Sequence, residues 1–537
     1  MSLHAGWREH LPALGVILLM SGLPVVLLRP FQDTPFIDDW TYAWSVEHLL
    51  RTGQLKILDW SVSVNVVHVL WGALFCVPFG FSFTALRVST WVASLLALVG
   101  LYVLMREVGA RRTDALLGVG VVAFYPVYFI LSFSFMTDVP FVALMVWSFA
   151  MLARAIARGS GEALVAAVVL ACLATAVRPV GVLLSGALLL APWPRATGWR
   201  WPASRLAAAA APVLAAGLLT LARPALDEHR ADLTWVSGSW AWRTVTFPSG
   251  LDQLPWWLVL NLTVAVGALG IALIPLALGG LSRENARVAL PAGLAGGAVL
   301  AAELWRRHGA GAPLDPEFIW SLRELGATEA LVPPLATGPH RVLGWAVGSM
   351  VLASLSLAFA LTPLVRRRPS GAVSALAWGA LGYFAMGTLL WLFYDRYALP
   401  LVVMVAALRV GTVGVPRRRL AVAGLALLLT VSLVGTWDHL RYNRAVWAAV
   451  AWARQAGIAP GQLDGGYVVN GWLEYAHPEH ATRGPKGDVQ VPGVNGGAPR
   501  RYGIVKVVPP GGQVLRAVPY RRLMAPSGRI YVVDRTP

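Results

Sequence analysis

Two aspartates stand side by side in Phe36-Ile37-Asp38-Asp39-Trp40, directly after the first apolar run of the chain. Adjacent carboxylates near a membrane surface repel each other and lose hydration, so a sequence that keeps both usually gives them a cation or a proton to hold. The plainer readings are solvated loop acids, or a cap for a helix beginning at Thr41, since Asp is a favoured N-cap residue. A third carboxylate, Asp138, lies in Ser134-Phe135-Met136-Thr137-Asp138-Val139-Pro140. Pro140 suits the first turn of a helix, so Asp138 either caps that helix, a role worth about 1 kcal/mol, or aims its carboxylate at the face where Asp38 and Asp39 stand.

Few cations accompany these acids. Arg178 in Val177-Arg178-Pro179-Val180-Gly181 and Arg396 in Tyr394-Asp395-Arg396-Tyr397-Ala398-Leu399-Pro400 each lie between apolar runs. A guanidinium there can hold a carboxylate or a lipid phosphate, or it can snorkel to a headgroup, and Asp395 can neutralise its neighbour. His68 reads first as a satisfied histidine of an apolar segment, although ionisable groups at membrane depth are rare enough to mark function. Carboxylates and arginines on one face could hold a proton, a phosphate or a divalent cation (Mg or Mn, on Asp39 and Asp138).

The elements that position these residues are membrane helices. Of 537 residues 57% are hydrophobic and 13% charged, with mean hydropathy +0.62, far from the roughly 25% charged residues of a soluble domain. Apolar runs such as Leu11 to Leu28 and Val342 to Leu364 approach or reach the ~20 residues that cross a bilayer as helix. The net charge of +17 comes as arginine clusters between those runs, the positive-inside pattern, so it does not point to nucleic acid.

Placing Arg106, Arg111 and Arg112 inside, with Arg154 and Arg158, Arg195, Arg200 and Arg205, Arg283 and Arg287, Arg366 to Arg368 and Arg417 to Arg419, makes the sides alternate. Helices are expected at 11–28 and near 84–105, 113–133, 139–153, 162–177, 180–192, 206–222, 256–280, 288–302, 342–364, 372–393, 397–414 and 420–436. About thirteen crossings put the N-terminus inside and the C-terminus outside by the charge rule. Val64 to Gly80 is apolar but would break the alternation, so it is expected to be re-entrant or interfacial. The outer side then receives 29–63, 134–138, 223–255, 303–341, 394–396 and everything after 436. The first apolar run lacks a clear small-residue cleavage site and is expected to stay as an anchor.

In the first outer loop Tyr42, Val46, Leu49 and Leu50 follow helical spacing and Gly53 ends the helix, as in an amphipathic helix lying on the membrane surface. Residues 437–537 form a separate small domain, with strands expected at Gly503 to Val508, Gln513 to Tyr520 and Arg529 to Asp534 between Pro-Gly and Ser-Gly turns. Cys76 and Cys172 both sit in apolar runs and read as buried small side chains.

On Asp38-Asp39-Trp40, Met136-Thr137-Asp138-Val139-Pro140, Arg178-Pro179-Val180-Gly181 and Arg396-Tyr397 followed by Pro400, the chain resembles the GT-C integral-membrane glycosyltransferases, in particular the family 39-like group of protein O-mannosyltransferases and lipid A aminoarabinose transferases. The resemblance spans roughly residues 10–440. It implies a GT-C-like catalytic domain over 1–436 and an α/β or β-rich extracytoplasmic domain over 437–537. It implies a polyprenyl-phosphate sugar donor, Asp38 as catalytic base with Asp39 its partner, Asp138 and His68 supporting the donor or a metal, and Arg178 and Arg396 on the lipid phosphate. Relatives often carry Asp-Glu where this chain has Asp-Asp, which leaves the order of the two acids open. The mannosyltransferases carry His-Pro-Pro-Leu and a lysine, whereas Val67-His68-Val69-Leu70 lacks both prolines.

The expected protein is therefore an inner-membrane glycosyltransferase acting on a glycan, lipid or protein acceptor. A transporter or lipid flippase would instead carry ionisable groups along the bilayer midplane, where few acids are found. A non-catalytic scaffold with an envelope-facing C-terminal domain is the third reading, and it predicts that alanine at Asp38 leaves function intact.

Overall fold

In a computed structural model, residues 9–61, 63–191, 203–228, 254–309, 339–367, 371–389, 394–481, 483–484, 488–523 and 526–536 are described. Arg195, Arg200, Arg368 and most of the segments 223–255 and 303–341, expected on the outer side, lie outside them.

The chain rises through α1 (Leu11–Leu28) and turns at Arg29 in the left-handed region (φ 48°). Next come α2 (Asp39–Thr52), closed by Gly53 at φ 71° as expected, β1 (Ile57–Leu58) and α3 (Val66–Cys76). α4 (Phe83–Glu107) starts where the Ser82 hydroxyl accepts from the Ala85 amide, supplying one of the partners that a helix N-terminus lacks. The single helix expected over 113–133 is two, α5 (Arg112–Ala123) and α6 (Pro126–Leu131), because Pro126 has no N–H and forces Tyr125 out of helical geometry. After α7 (Asp138–Arg158) and α8 (Gly161–Val177), the run 180–192 is also shorter than expected: a 3-10 turn over Pro179–Leu183 precedes α9 (Leu184–Leu190).

α10 (Ala203–Leu226) ends in β2 (Asp227–Glu228), which pairs in parallel with β1. The remaining membrane helices are α11 (Leu254–Ala272), α12 (Ile274–Gly279), α13 (Arg283–Gly309), α14 (Pro339–Val365), α15 (Ala372–Leu389), α16 (Leu399–Val413) and α17 (Arg418–Gln455). Among the described residues eight helices are long and apolar enough to cross a membrane, and the chain is an integral membrane protein. Leu19 and Val26 on α1 and Leu214 and Leu218 on α10 are exposed, as lipid-facing leucines and valines must be, since hydrocarbon is their solvent.

α3 settles the segment 64–80. Eleven residues make a helix of about 16 Å, half of the ~30 Å hydrocarbon core, and α3 packs between α2 and α4 at the end of the bundle where α1 finishes. At the other end of the bundle the arginines pair with scattered acids: Arg112 with Glu9, Arg154 and Arg158 with Glu107, Arg366 with Glu284, and Arg418 with Asp114.

The last helix differs from expectation in a way that matters. α17 has 38 residues, about 57 Å, so its second half projects well beyond the membrane and the expected division at 436 falls inside one continuous helix. The sheet that follows comprises β3 (Leu463–Asp464), β4 (Tyr502–Val505), β5 (Gln513–Tyr520) and β6 (Gly528–Asp534) in the order β3-β4-β6-β5, parallel only between β3 and β4. Ala445, Val446, Ala449 and Val450 form one face of the projecting α17 and bury against Tyr520, Ile530 and Val532. A short helix α18 (Tyr467–Asn470) and the turn after it reach back to the first loop. There Tyr475, Ala476, Val489 and Val491 close a core around Trp40, Trp44 and Leu58.

Gly471 is the tightest point of that junction: a Cβ there would lie 2.4 Å from Trp40 Cε2. Gly471→Ala is expected to destabilise the detergent-solubilised protein by about 1–3 kcal/mol through overpacking, read as a lowered thermal unfolding midpoint. An unchanged midpoint would show that the two segments are not packed this closely.

Candidate active site

The two adjacent aspartates face different partners. Ile37 lies at φ 60°, a conformation that β-branched residues rarely adopt, and it is held there by burial of its side chain. This kink starts α2 at Asp39, and the Asp38 side chain makes no capping bond. Asp38 instead meets Arg396, whose Nη1 and Nη2 both donate to Asp38 Oδ2 at 3.0 and 3.1 Å.

Asp39 is fully buried. It accepts the Phe36 amide at 2.9 Å and lies 3.7 Å from Arg87 Nη2. Burial pushes its carboxyl up to about 7, with Arg87 pulling the other way. Arg87 itself projects from α4, is wholly buried, donates to the carbonyls of Gln32 and Thr34, and lies 4.4 Å from the Phe36 ring centroid. One guanidinium thus gathers the loop on both sides of the kink.

The projecting half of α17 holds the same loop from behind. Asn443 and Trp447 donate to the Pro35 carbonyl at 3.4 and 3.0 Å, Arg444 donates to the Arg29 carbonyl at 2.7 Å, and His439 packs edge-on against Phe36. Asp33 accepts the Phe83 amide at 2.7 Å, which fixes the loop to the start of α4.

The second acid is held in the same way as the first. Asp138 opens α7, where a negative charge suits the helix dipole, and pairs with Arg178 at the end of α8. Its Oδ2 is buried without a hydrogen-bond partner among the described residues. Arg178 lies 5.0 Å from the Tyr397 ring centroid and Arg396 lies 5.6 Å from the same ring, so Tyr397 joins the Asp138–Arg178 pair to the Asp38–Arg396 pair. Tyr383 donates to the Tyr397 carbonyl at 3.0 Å. Tyr42, one helical turn after Asp38 and hence on its face of α2, feels the charges of both pairs, and burial raises its hydroxyl to about 12.

His68 is fully buried, stacks on Phe135 with ring centroids 4.1 Å apart, and contacts the Phe135 carbonyl through Nε2 at 3.2 Å. It supports the 134–138 loop and meets the edge of Tyr42.

The structure therefore brings Asp38, Asp138, Arg178 and Arg396 together and turns Asp39 towards Arg87. Sequence reasoning missed Arg87, whose signal was an arginine inside an apolar helix. It also missed Tyr467, which the fold carries from the far end of the sequence to Trp40 and Trp60. Each acid expected to bind a divalent cation already faces a guanidinium, and among the described residues no group of three His, Cys, Asp or Glu side chains is placed to hold one. Arg178 and Arg396 supply positive charge beside Asp138 and Asp38.

Residues 66–223 match the dolichyl-phosphate-mannose-protein mannosyltransferase family. That stretch contains His68, Arg87, Asp138 and Arg178. No curated protein matches the chain by sequence. Among solved structures, ArnT from Cupriavidus metallidurans bound to undecaprenyl phosphate aligns over 97% of this chain and 98% of its own at 14% identity and TM-score 0.42. The oligosaccharyltransferase AglB from Archaeoglobus fulgidus, in complex with an inhibitory peptide and a dolichol-phosphate, aligns over 84% of this chain and 58% of its own at 14% identity and TM-score 0.40.

Arg87→Met leaves Asp39 buried without a counter-charge, and breaking such a pair costs about 3–5 kcal/mol. The loss is expected to be larger at pH 8 than at pH 5: a buried carboxyl with a raised pKa favours the folded state while protonated, and that stability fades as pH rises through its titration. Adding Asp39→Asn to Arg87→Met should remove this pH dependence in thermal unfolding. A pH-independent loss in Arg87→Met alone would mean that the pair does not hold the loop.

Proposed function

We propose that this protein is an inverting glycosyltransferase that moves a sugar from a polyprenyl-phosphate donor to an acceptor hydroxyl at the outer face of the membrane, with its C-terminal domain on that face. The observation that carries the reading is the pair of arginine-held carboxylates, Asp38 with Arg396 and Asp138 with Arg178, joined through Tyr397 at one end of the helix bundle. The family match over 66–223 adds the donor class, since that family takes its name from a dolichyl-phosphate-linked mannose.

Asp38 suits the base because it is partly exposed while Asp39 is sealed inside. In this mechanism Asp38 takes the proton of the acceptor hydroxyl, the acceptor oxygen bonds to the anomeric carbon from the face opposite the phosphate, and the anomeric carbon–phosphate oxygen bond breaks with its electron pair passing to the polyprenyl phosphate. Arg178 and Arg396 each carry five N–H donors, enough to keep an aspartate and bind a phosphate oxygen, and they stabilise the charge that develops there. Asp138 holds Arg178 in place. The phosphate is a good leaving group, so the step needs no general acid.

Transfer of radiolabelled sugar from a panel of polyprenyl-phosphate donors, in membranes carrying equal amounts of each variant, tests this. Asp38→Asn is expected to lower transfer by about 10²- to 10⁴-fold, the usual contribution of a general base. Full activity of that variant would remove Asp38 from the chemistry, and a silent wild type across the panel would favour a transporter. In EDTA the wild type is expected to keep its activity; loss restored by Mg or Mn would assign the phosphate charge to a divalent cation.

A further inference from the structure

Three arginines crowd the point where α1 ends. Arg29 takes the left-handed position that glycine usually fills after a helix. Its side chain is exposed, and the turn before it shows Val26 and Leu27 to the outside, 72% and 49% exposed. α17 passes this exit: Leu440 packs with Leu28 in one buried cluster, and Arg444 donates to the Arg29 carbonyl at 2.7 Å. Trp437, Arg441 and Arg444 follow one another at helical spacing and so share a face of α17, with the Arg441 guanidinium 4.4 Å from the Trp437 ring centroid. The connection between β5 and β6 reaches the same level. There the Leu523 amide donates to Asp438 Oδ1 at 2.7 Å, while the Leu523 side chain is 63% exposed.

At the opposite end of the bundle Arg112, Arg154, Arg158, Arg366 and Arg418 each pair with an acid. Among the described residues Arg29, Arg441 and Arg444 pair with none. Arg441 and Arg444 are neighbours on one helix face, where like charges repel, and Arg444 reaches over the backbone of the third. An anion faced by all three relieves that repulsion. Lipid-facing side chains run along α1 up to this level, so the cluster stands at the depth of the headgroups, and Trp437, one turn deeper, is a residue type favoured at that interface. A guanidinium matches a phosphate with two parallel N–H bonds. We propose that Arg29, Arg441 and Arg444 bind the phosphate of an anionic phospholipid in the leaflet at which α1 ends. The bound headgroup ties α17 to residue 29, where the first loop begins.

Purified full-length protein in a neutral detergent, titrated with phosphatidylglycerol, phosphatidylcholine or inorganic phosphate, tests this through the thermal unfolding midpoint and through lipid retained in native mass spectrometry. Phosphatidylglycerol is expected to raise the midpoint and stay bound; phosphatidylcholine and inorganic phosphate should do neither. In Arg441→Gln/Arg444→Gln, loss of two charges from the headgroup layer should weaken phosphatidylglycerol binding by about 10- to 30-fold. Arg441→Lys/Arg444→Lys keeps the charge without the planar fork and should retain most of the binding. Arg283→Gln/Arg287→Gln removes the same charge from exposed positions at the other end of the bundle and should leave it unchanged.

Equal retention of phosphatidylcholine, or a midpoint raised as far by inorganic phosphate, would overturn the proposal, the first by making the contact a general one with the bilayer and the second by giving the cluster to a free anion. Phosphatidylglycerol binding that survives Arg441→Gln/Arg444→Gln, or falls equally in Arg283→Gln/Arg287→Gln, would place the lipid elsewhere and overturn it too. Arg29→Gln changes one exposed side chain and is expected to fold even where the double variant does not. It should weaken binding by about fivefold, and unchanged binding in that variant would count equally against the site.

Discussion

The arrangement of the site depends on one buried guanidinium. Arg87 sits near the N-terminal end of an apolar helix, where an isolated cation would be strongly unfavourable. It is tolerated because two loop carbonyls, the Phe36 ring and the Asp39 carboxylate converge on it. Those partners flank Ile37, so the same contacts that satisfy Arg87 also impose the kink that separates Asp38 from Asp39. Two like charges next to each other in sequence can then exist near a membrane because each has its own arginine, one sealed within the protein and one in the site.

The second constraint is the length of α17. A helix that stopped at residue 436 would leave the first loop uncovered on one side. By continuing outward as a rigid rod, it carries His439, Asn443, Arg444 and Trp447 against residues 29–36 and offers a dry face on which the terminal sheet folds. The C-terminal domain and the first loop then share a core around Trp40. The helix bundle and the terminal sheet are thus energetically linked through the segment that carries Asp38 and Asp39.

Charge is divided between the two faces of the bundle with different purposes. At one end arginines pair with scattered acids at helix termini and remain largely solvated, where such pairs contribute little stability. At the other end a few arginines are withdrawn from solvent and stacked on tyrosines, with their carboxylates held in fixed positions. Withdrawal from water strengthens each of these interactions.

Much of this was legible in the sequence. Hydropathy located most helices within a few residues, because a membrane helix must satisfy its own backbone and announces itself as an apolar run, although 113–133 and 256–280 are each two helices and α17 runs on to Gln455. The terminal strands were equally readable from alternation and turn residues, and β5 begins and ends as expected. The four residues that meet at Tyr397 were all singled out, since ionisable groups beside apolar runs are few. Partnership was not readable: whether Asp38 or Asp39 turns towards the site, that α17 continues past residue 436, that Arg87 governs the first loop, and that Tyr467 returns to Trp40. Local sequence determines which segments are helix or strand because backbone hydrogen bonding and side-chain periodicity are local. Which carboxylate meets which guanidinium is decided only when segments hundreds of residues apart pack together, because burial and charge pairing depend on neighbours that no local pattern specifies.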